Sequence, residues 1–312
     1  MAKTKSMPKS LKLPVEAPGC LAVSPNGVHL VVSEGTSFDG RLWHIDGVTG
    51  EVTALASVAG MITSLAVADD GRVAIAFHSQ ACDRYKSSGE GSAGGAWVEL
   101  RDGAEHKLHS VELELPYAAI SWGQGDLLAV RHDGMYQRHP VLVGLIDAGT
   151  GGLVRAAFEG VAPAVGMTAS ACFVNRGTGL LAVVDLVDAR MTLRIATDGA
   201  VTSLGTWSYP AVPSALVPLG ADRILAIHCG GRGWRLLDAE GRSIAAGDQG
   251  AMTGCADGEG DGFVVASGRQ LVRFGADGVL RETLKLKVPV AAVAAGGGRA
   301  FGLGRGTLLQ LS

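Results

Sequence analysis

The amino-acid sequence predicts an all-β fold, a seven-bladed β-propeller that forms one domain over residues 10–312. Three observations lead to this prediction: a recurring pair of short apolar segments, a set of regularly spaced Asp/Gly turns, and a high glycine content. Glycine accounts for 46 of the 312 residues, about twice its usual share of roughly 7%. The glycines lie between short apolar segments, as expected of a chain with many tight turns.

Composition places the chain among globular proteins, because 47% of its residues are apolar and 18% are charged. The net charge of −3 is too small to indicate a nucleic acid or a membrane surface as the partner. No apolar segment approaches the roughly 20 residues of a membrane-spanning helix. The N-terminal segment carries four lysines and is followed by no apolar region, so it does not resemble a secretory signal. We predict that residues 1–9 form a flexible basic tail.

The first repeated phrase is a sequence pattern of three parts: a strand in which apolar and charged residues alternate, a turn, and a strand of small apolar residues. Its clearest copies are residues 10–27, 110–125 and 282–298. Leu and Val alternate with Lys and Glu in the first half of each copy, which predicts a strand with one exposed face. The Ala- and Val-rich second half suits a crowded interior.

The second repeated phrase predicts a hairpin, because Asp and Gly stand a few residues apart between two strand-like segments. Glycine tolerates a positive φ, and the Asp carboxylate accepts hydrogen bonds from nearby backbone N–H groups. A spacing of 40 to 55 residues between most copies matches a four-stranded blade. The six copies are residues 44–52, 100–108, 145–154, 195–204, 236–244 and 274–283.

Setting both phrases in order predicts seven innermost strands, which begin near residues 18, 62, 117, 165, 213, 252 and 290. The seventh unit ends after three strands, and residues 10–15 are expected to supply its fourth strand, so that the ring closes without a free sheet edge. Residues 180–198 contain neither Gly nor Pro and would also suit a helix. We interpret them as two strands, because the repeat requires strands there.

Residues 21–52 carry a resemblance to a known family. Ser-Pro-Asn-Gly at 24–27 falls at an inner hairpin, and Trp43, Asp46 and Thr49-Gly50 mark an outer one. This segment resembles a repeat of the WD40-like and YVTN-like propellers, and residues 145–154 are similar to its outer hairpin. The Gly-His dipeptide and the regular Trp-Asp ends of true WD40 repeats are absent. The resemblance implies a binding platform and implies no chemistry.

In such propellers the connections between second and third strands, and those between blades, lie on one face. All four tyrosines of the chain fall in these predicted connections, together with several arginines, Arg190 included. Tyr, Trp and Arg are enriched where protein partners bind. The sequence therefore predicts a partner-binding face formed by Phe38, His78, Arg84, Tyr85, Tyr117, His132, Tyr136, Arg138, Tyr209, His228, Arg232 and Trp234.

Five polar residues fall at near-equivalent positions at the ends of the predicted second strands: Glu34, His78, His132, Asp185 and His228. Three imidazoles could hold a metal ion if they converged within about 2.1 Å of it. The second strand lies about 4.8 Å outside the innermost one, however, so the imidazoles would have to lean across that strand to meet. We favour a polar rim that bonds loop backbone groups and keep His78, His132 and His228 as an alternative metal set.

Several other motifs indicate no chemistry. Residues 89–94 fit G-x-G-x-x-G, but no helix follows to offer its N-terminus to a phosphate. Residues 257–262 are similar to a calcium loop, yet Gly268 stands where the bidentate Glu is needed. The five cysteines are odd in number and widely spaced, which argues against a disulfide framework and a zinc knuckle and favours a reducing cytoplasm.

The sequence thus predicts a non-enzymatic scaffold that binds a protein or peptide, with no cofactor, no nucleic acid and no membrane as partner. It predicts a monomeric propeller within a larger complex. The alternative is a metal-assisted lyase or hydrolase acting on a small molecule at the channel mouth. Within the long segment 77–95, residues 82–85 are expected to contact the partner, and the Gly/Ser-rich residues after them to provide slack.

Overall fold

The computed structural model contains strands and turns throughout the residues that it describes. These are residues 7, 9–34, 39–55, 57–79, 95–103, 106–113, 117–123, 126–133, 142–155, 172–175, 180–187, 190–197, 200–208, 213–220, 222–228, 233–238, 241–248, 250, 253–257 and 262–311. Within these ranges no helix is long and apolar enough to span a bilayer.

The described strands form seven four-stranded antiparallel sheets, which we call blades and number along the chain. Blade 1 comprises β2 (Pro18–Val23), β3 (His29–Glu34), β4 (Leu42–Asp46) and β5 (Val52–Ala54). Blade 2 comprises β6 (Met61–Val67), β7 (Val73–His78), β8 (Ala96–Asp102) and β9 (His106–Leu113). Blade 3 comprises β10 (Tyr117–Trp122), β11 (Leu127–Asp133), β12 (Leu142–Asp147) and β13 (Gly152–Arg155).

The remaining blades repeat this order. Blade 4 comprises β14 (Cys172–Asn175), β15 (Leu180–Val187), β16 (Arg190–Thr197) and β17 (Ala200–Ser208). Blade 5 comprises β18 (Pro213–Leu219), β19 (Arg223–His228), β20 (Trp234–Leu237) and β21 (Ser243–Gly247). Blade 6 comprises β22 (Thr253–Ala256), β23 (Phe263–Ser267), β24 (Gln270–Phe274) and β25 (Leu280–Lys285). In blade 7, β26 (Val290–Gly296), β27 (Arg299–Gly304) and β28 (Thr307–Leu311) are joined by β1 (Ser10–Lys12).

The prediction of an all-β propeller is confirmed. The innermost strands of successive blades contact one another in the order β2, β6, β10, β14, β18, β22 and β26, and β26 contacts β2. Residues 180–187 and 190–197 are strands, so the interpretation of residues 180–198 as two strands is correct. The fourth innermost strand begins at Cys172 and not near residue 165, which lies outside the described residues.

The burial of a strand depends on its position within its blade. All six residues of β7 are buried, because a second strand is flanked by its own sheet and covered by the neighbouring blades. Every residue of β25, an outermost strand, is exposed. The hydrophobic core lies between adjacent sheets, as in the cluster of Ala74, Val98 and Leu128 that joins blades 2 and 3.

The predicted outer hairpins join third and fourth strands in blades 1 to 6, and two of them show the expected construction. Asp46 accepts hydrogen bonds from the backbone N–H groups of Val48 (2.8 Å) and Thr49 (2.7 Å). Asp147 accepts the corresponding bonds from Gly149 (2.8 Å) and Thr150 (3.0 Å). These carboxylates satisfy turn N–H groups that would otherwise need water.

The N-terminal segment packs against blades 7 and 1. Strand β1 pairs with β28, with Ser10 opposite Leu309. Met7 falls inside the predicted flexible tail, yet it is only 7% exposed and donates a backbone hydrogen bond to Val48 O (2.6 Å). Packing therefore begins before Ser10.

Candidate partner-binding face

The two ends of the blades differ in the lengths of their connections. We call the end at which the second strands finish the upper face, and the end that carries the first-to-second and third-to-fourth hairpins the lower face. On the upper face, second and third strands are joined by residues 35–41, 79–95, 134–141 and 229–233 in blades 1, 2, 3 and 5. The corresponding connections in blades 4, 6 and 7 are residues 188–189, 268–269 and 305–306. The long connections thus cluster on adjacent blades 1 to 3, with a shorter one on blade 5.

The longest connection leaves blade 2 through an ordered stem. Ser79 donates its backbone N–H to Gly95 O at 2.7 Å, which closes the base of the connection. Directly below, Phe77 and Trp97 stand opposite each other, and their ring centroids are 5.6 Å apart. The stem fixes where residues 80–94 leave and re-enter the blade.

The connection of blade 1 also has an ordered base. Gly40 and Val58 exchange two backbone hydrogen bonds of 2.9 Å each, which tie this connection to the segment that leads into blade 2. Glu34, the last residue of β3, accepts a hydrogen bond from Glu16 N–H (3.3 Å) and lies 4.0 Å from the Arg41 guanidinium. The Gly40–Val58 bonds thus tie blade 1 to the start of blade 2, and Glu34 bonds to the segment that leads into β2.

The predicted row of polar residues follows the strand register. Glu34, His78 and His228 each pair with the first residue of the innermost strand, which is Pro18, Met61 or Pro213. His132 pairs with Ala118, one residue further in. Asp185 does not belong to this row, because it lies inside β15 opposite Thr192, and only residues 188–189 separate β15 from β16.

His78 is 0% exposed, and its Nδ1 donates to Ser79 O at 3.2 Å. The imidazole therefore supports the start of the long connection from below, as expected of a polar rim. The side chains of His132 and His228 lie outside the described part of the structure. Among the residues whose positions are described, no group of three or more His, Cys, Asp or Glu could hold a metal ion.

Two predicted partner-binding residues must be corrected, because both are buried: His78, described above, and Trp234. Trp234 is 2% exposed and packs against Phe263 and Phe274, with ring centroids 4.7 Å and 4.8 Å away. It is the first residue of β20, and its indole points into the core between blades 5 and 6. Trp234 is a core residue and is not available to a partner.

Most other members of the predicted set stand in connections or at strand ends of the upper face. Tyr117 is the first residue of β10, and its side chain is outside the described part. Seven further members lie outside the described residues: Phe38, Arg84, Tyr85, Tyr136, Arg138, Tyr209 and Arg232.

The lower face is held by side chains that bond from one blade to the next. The backbone N–H of Asn26 in blade 1 donates a hydrogen bond to Asp69 Oδ1 of blade 2, at 2.7 Å. Arg72 of blade 2 lies 2.6 Å from Asp126 of blade 3 and 2.7 Å from Asp70. Burial alone would raise the pKa of Asp70, but hydrogen bonds from the Arg72 backbone and guanidinium hold it below its usual range. Non-covalent side-chain contacts therefore join neighbouring blades on the lower face.

The structure also reveals a histidine pair that the sequence did not. His29 Nδ1 and His44 Nε2 lie 3.2 Å apart on strands β3 and β4 of blade 1. Burial and the neighbouring His29 lower the pKa of His44, although Asp46 acts in the opposite direction. The two residues stand on either side of the connection 35–41, so their proximity depends on a strand register that the sequence alone did not provide.

The two described ends of the calcium-like segment, Asp257 and Gly262, are joined by a backbone hydrogen bond. Asp257 donates its backbone N–H to Gly262 O (3.0 Å), and its carboxylate lies 3.4 Å from the Arg273 guanidinium.

The cysteines described are free thiols: Cys20 is half-buried and Cys255 is buried. Burial raises the pKa of Cys20 to about 11 and also raises that of Cys255, so neither thiol is a ready nucleophile.

Comparison with known proteins identifies the fold. No protein-family model matches the sequence, and no curated protein matches it. Hydrazine synthase of Kuenenia stuttgartiensis is similar in structure, with a TM-score of 0.70 at 13% identity over 96% of this chain and 97% of that one. The Cps50 (Swd1) β-propeller domain of Myceliophteria thermophila gives a TM-score of 0.70 at 15% identity over 96% and 98% of the two chains.

A chain in the Mitotic Checkpoint Complex gives a TM-score of 0.68 at 13% identity, over 99% of this chain and 96% of that one. At these identities the likenesses show the fold alone. The resemblance to WD40-like propellers is therefore confirmed at the level of the β-propeller fold.

Proposed function

We propose that this chain is a non-enzymatic propeller scaffold that binds a protein or peptide on its upper face. The observation that carries the proposal is the difference between the two faces. On the upper face, long connections join the second and third strands of blades 1, 2 and 3, whereas on the lower face hydrogen bonds and ion pairs join neighbouring blades. Binding residues are found disproportionately on loops that a rigid scaffold positions.

The scaffold in this proposal is one closed ring of seven blades, the last of which is completed by β1. Pairing of Ser10 with Leu309 and the contact between β26 and β2 support this closure. A closed ring leaves no inner edge and joins both ends of the chain, which holds the upper-face connections at fixed spacings.

The known structures support the same class of function without deciding it. Cps50 (Swd1) contributes a β-propeller domain, and the Mitotic Checkpoint Complex is by its title an assembly of proteins. Hydrazine synthase has an enzyme's name and the same fold, so the fold by itself does not separate a scaffold from an enzyme. The choice of a scaffold rests on the residues of the upper face.

The chemistry of the upper-face connections favours a protein or peptide. Tyr85 with Arg84, and Tyr136 with Arg138, supply broad aromatic contact area and directed hydrogen-bond donors. No continuous basic stripe accompanies them, so we do not assign a nucleic acid as partner. We further propose that the chain works in the cytoplasm, as one propeller within a larger complex.

The proposal is tested by co-purification from the native cell. Arg84→Ala combined with Tyr85→Ala is expected to reduce recovery of the partner at least about tenfold, since buried Tyr and Arg anchors often contribute 2 kcal/mol or more. The matched control is Val48→Ala on the lower face, where Val48 is 47% exposed. If the intact chain and the upper-face variant recover the same amount of partner at unchanged thermal stability, the proposed binding surface is wrong.

A further inference from the structure

The His29–His44 pair has a geometry that suits more than a hydrogen bond. His29 pairs with Asp46 across strands β3 and β4, and Val31 pairs with His44. Residues directly opposite in antiparallel strands, and residues two apart in one strand, project from the same face of the sheet. His29, His44 and Asp46 therefore project from one face of blade 1, close to its lower end.

The distance between the two ring nitrogens fits two ligands of a single ion. Imidazole nitrogens bind Zn²⁺ at about 2.0–2.1 Å, so two nitrogens 3.2 Å apart would subtend an angle of about 100° at a shared ion. That angle lies between the values for octahedral and tetrahedral coordination. Each ring would need to turn by roughly 40° from a linear N–H···N bond to direct its lone pair at the ion.

The surroundings of the pair place a glycine against one imidazole and a carboxylate on the same sheet face. On the blade 2 side, Gly71 faces the His29 ring, and a Cβ there would lie 3.3 Å from His29 Cε1. Gly71 therefore packs against the His29 ring, and a larger residue there would press on the imidazole. Both histidines are half-buried, so solvent still reaches the pair. Asp46, on the same sheet face, is held by the backbone N–H groups of Val48 and Thr49, which fixes a carboxylate beside the imidazoles.

We propose that His29 and His44 form a two-imidazole site for a divalent transition-metal ion on the lower face of blade 1. Within the described residues no third His, Cys, Asp or Glu completes the set, so water fills the remaining positions and the ion exchanges readily. Imidazole ligands suit Cu²⁺, Ni²⁺ and Zn²⁺, and affinity should follow the order Cu²⁺ above Ni²⁺ and Zn²⁺. The ion would join β3 to β4 in blade 1, which is also contacted by Asp69 of blade 2 and Arg299 of blade 7.

The direct test is calorimetric titration of tag-free full-length chain with Ni²⁺ and with Zn²⁺. The expected result is one ion per chain, bound at least about tenfold more tightly than by His29→Gln or His44→Gln, because each variant removes one imidazole ligand. Glutamine can still form a hydrogen bond with the remaining imidazole but supplies no imidazole ligand. A loss of affinity in these variants therefore reports ion binding and not loss of the hydrogen bond. The matched control is His109→Gln, since His109 also lies on the lower face and its Nε2 donates to Gly149 O (3.1 Å).

Equal affinity in the intact chain and both variants, or no binding by the intact chain, would overturn the proposal. A second measurement keeps it testable if a variant fails to fold. X-ray absorption of the zinc-loaded intact chain should show two imidazole nitrogens at about 2.0–2.1 Å, the usual Zn–N distance. A spectrum with thiolate ligands or with a single imidazole would place the ion elsewhere and overturn the proposal.

Discussion

Replacing Arg299 should weaken the junction between blades 7 and 1. Arg299 opens β27, and its guanidinium donates from Nη1 to Gly47 O (2.5 Å) and from Nη2 to Gly27 O (2.6 Å). Gly27 allows this close approach: its φ is +72°, and a Cβ there would lie 3.0 Å from Arg299 Nη2 and 2.7 Å from Gly296 O. Arg299→Met removes both donors and keeps an apolar stem over the Phe301 ring, whose centroid is 5.4 Å from the guanidinium carbon.

The size of the effect follows from the two lost bonds. A hydrogen bond to a charged group contributes about 1.5–3 kcal/mol, and the part-buried carbonyls can recover some of this from water, so we expect a loss of about 2–4 kcal/mol. At roughly 2–4 °C per kcal/mol for a large domain, the thermal midpoint should fall by about 4–16 °C. Urea unfolding followed by tryptophan fluorescence measures the free energy of unfolding, and calorimetry measures the midpoint.

Arg305 provides the matched control, because it is an exposed arginine at the other end of β27. Arg305→Met should change the free energy of unfolding by no more than about 0.5 kcal/mol, as is usual for surface substitutions. The reasoning is refuted if Arg299→Met unfolds at the same urea concentration as the intact chain, or if both variants lose the same stability.

Four further results are expected. Deleting residues 1–15 should lower the thermal midpoint strongly, because the buried Leu13 and Val15 each contribute about 1.5–3 kcal/mol and β28 loses its pairing with β1; melting like the intact chain would contradict the closure. Trp234→Ala should cost about 3–5 kcal/mol in urea unfolding and leave partner recovery intact in cells at permissive temperature. Replacing residues 80–94 by a short Gly/Ser linker should change the free energy of unfolding by less than about 1 kcal/mol, since loop closure depends weakly on length, but should abolish co-purification. The lowered pKa of Asp70 adds stability above its ordinary pKa of about 4 that is lost as the pH falls, so Asp70→Asn should flatten the loss of stability between about pH 5 and pH 2.

The propeller fold was predictable because its signals are local. Each outer hairpin requires an Asp that can bond the turn backbone and a glycine that accepts a positive φ, and both requirements are met within a few residues. Asp46 and Gly50 in blade 1, and Asp147 and Gly151 in blade 3, meet them in the same way. Strand alternation then gave six of the seven innermost strands to within one residue of their observed starts.

Side chains whose surroundings come from distant parts of the chain were not predictable. The burial of Trp234 depends on Phe263 and Phe274, which belong to the next blade. The same holds for His78, which a strand-end position suggested would face a partner, and which is covered in the folded chain. Neither outcome could be read from the residues next to them.

The histidine pair on the lower face was missed for a related reason. His29 and His44 are separated by a connection whose length does not determine the register of β3 against β4. Placing the outer hairpin at Asp46 and the inner hairpin at Gly27 would have brought the two histidines to the same end of blade 1. That combination of two local signals is what could have identified the pair.

Site-specific photo-crosslinking in the native cell tests the central claim most directly. A photoreactive amino acid at position 85 reports on the upper face, and one at position 48 reports on the lower face, where Val48 is 47% exposed. Binding on the upper face predicts a crosslinked protein from position 85 that is absent from position 48 and is lost when Arg84→Ala is added. Crosslinking of the same protein from position 48 alone would contradict the claim.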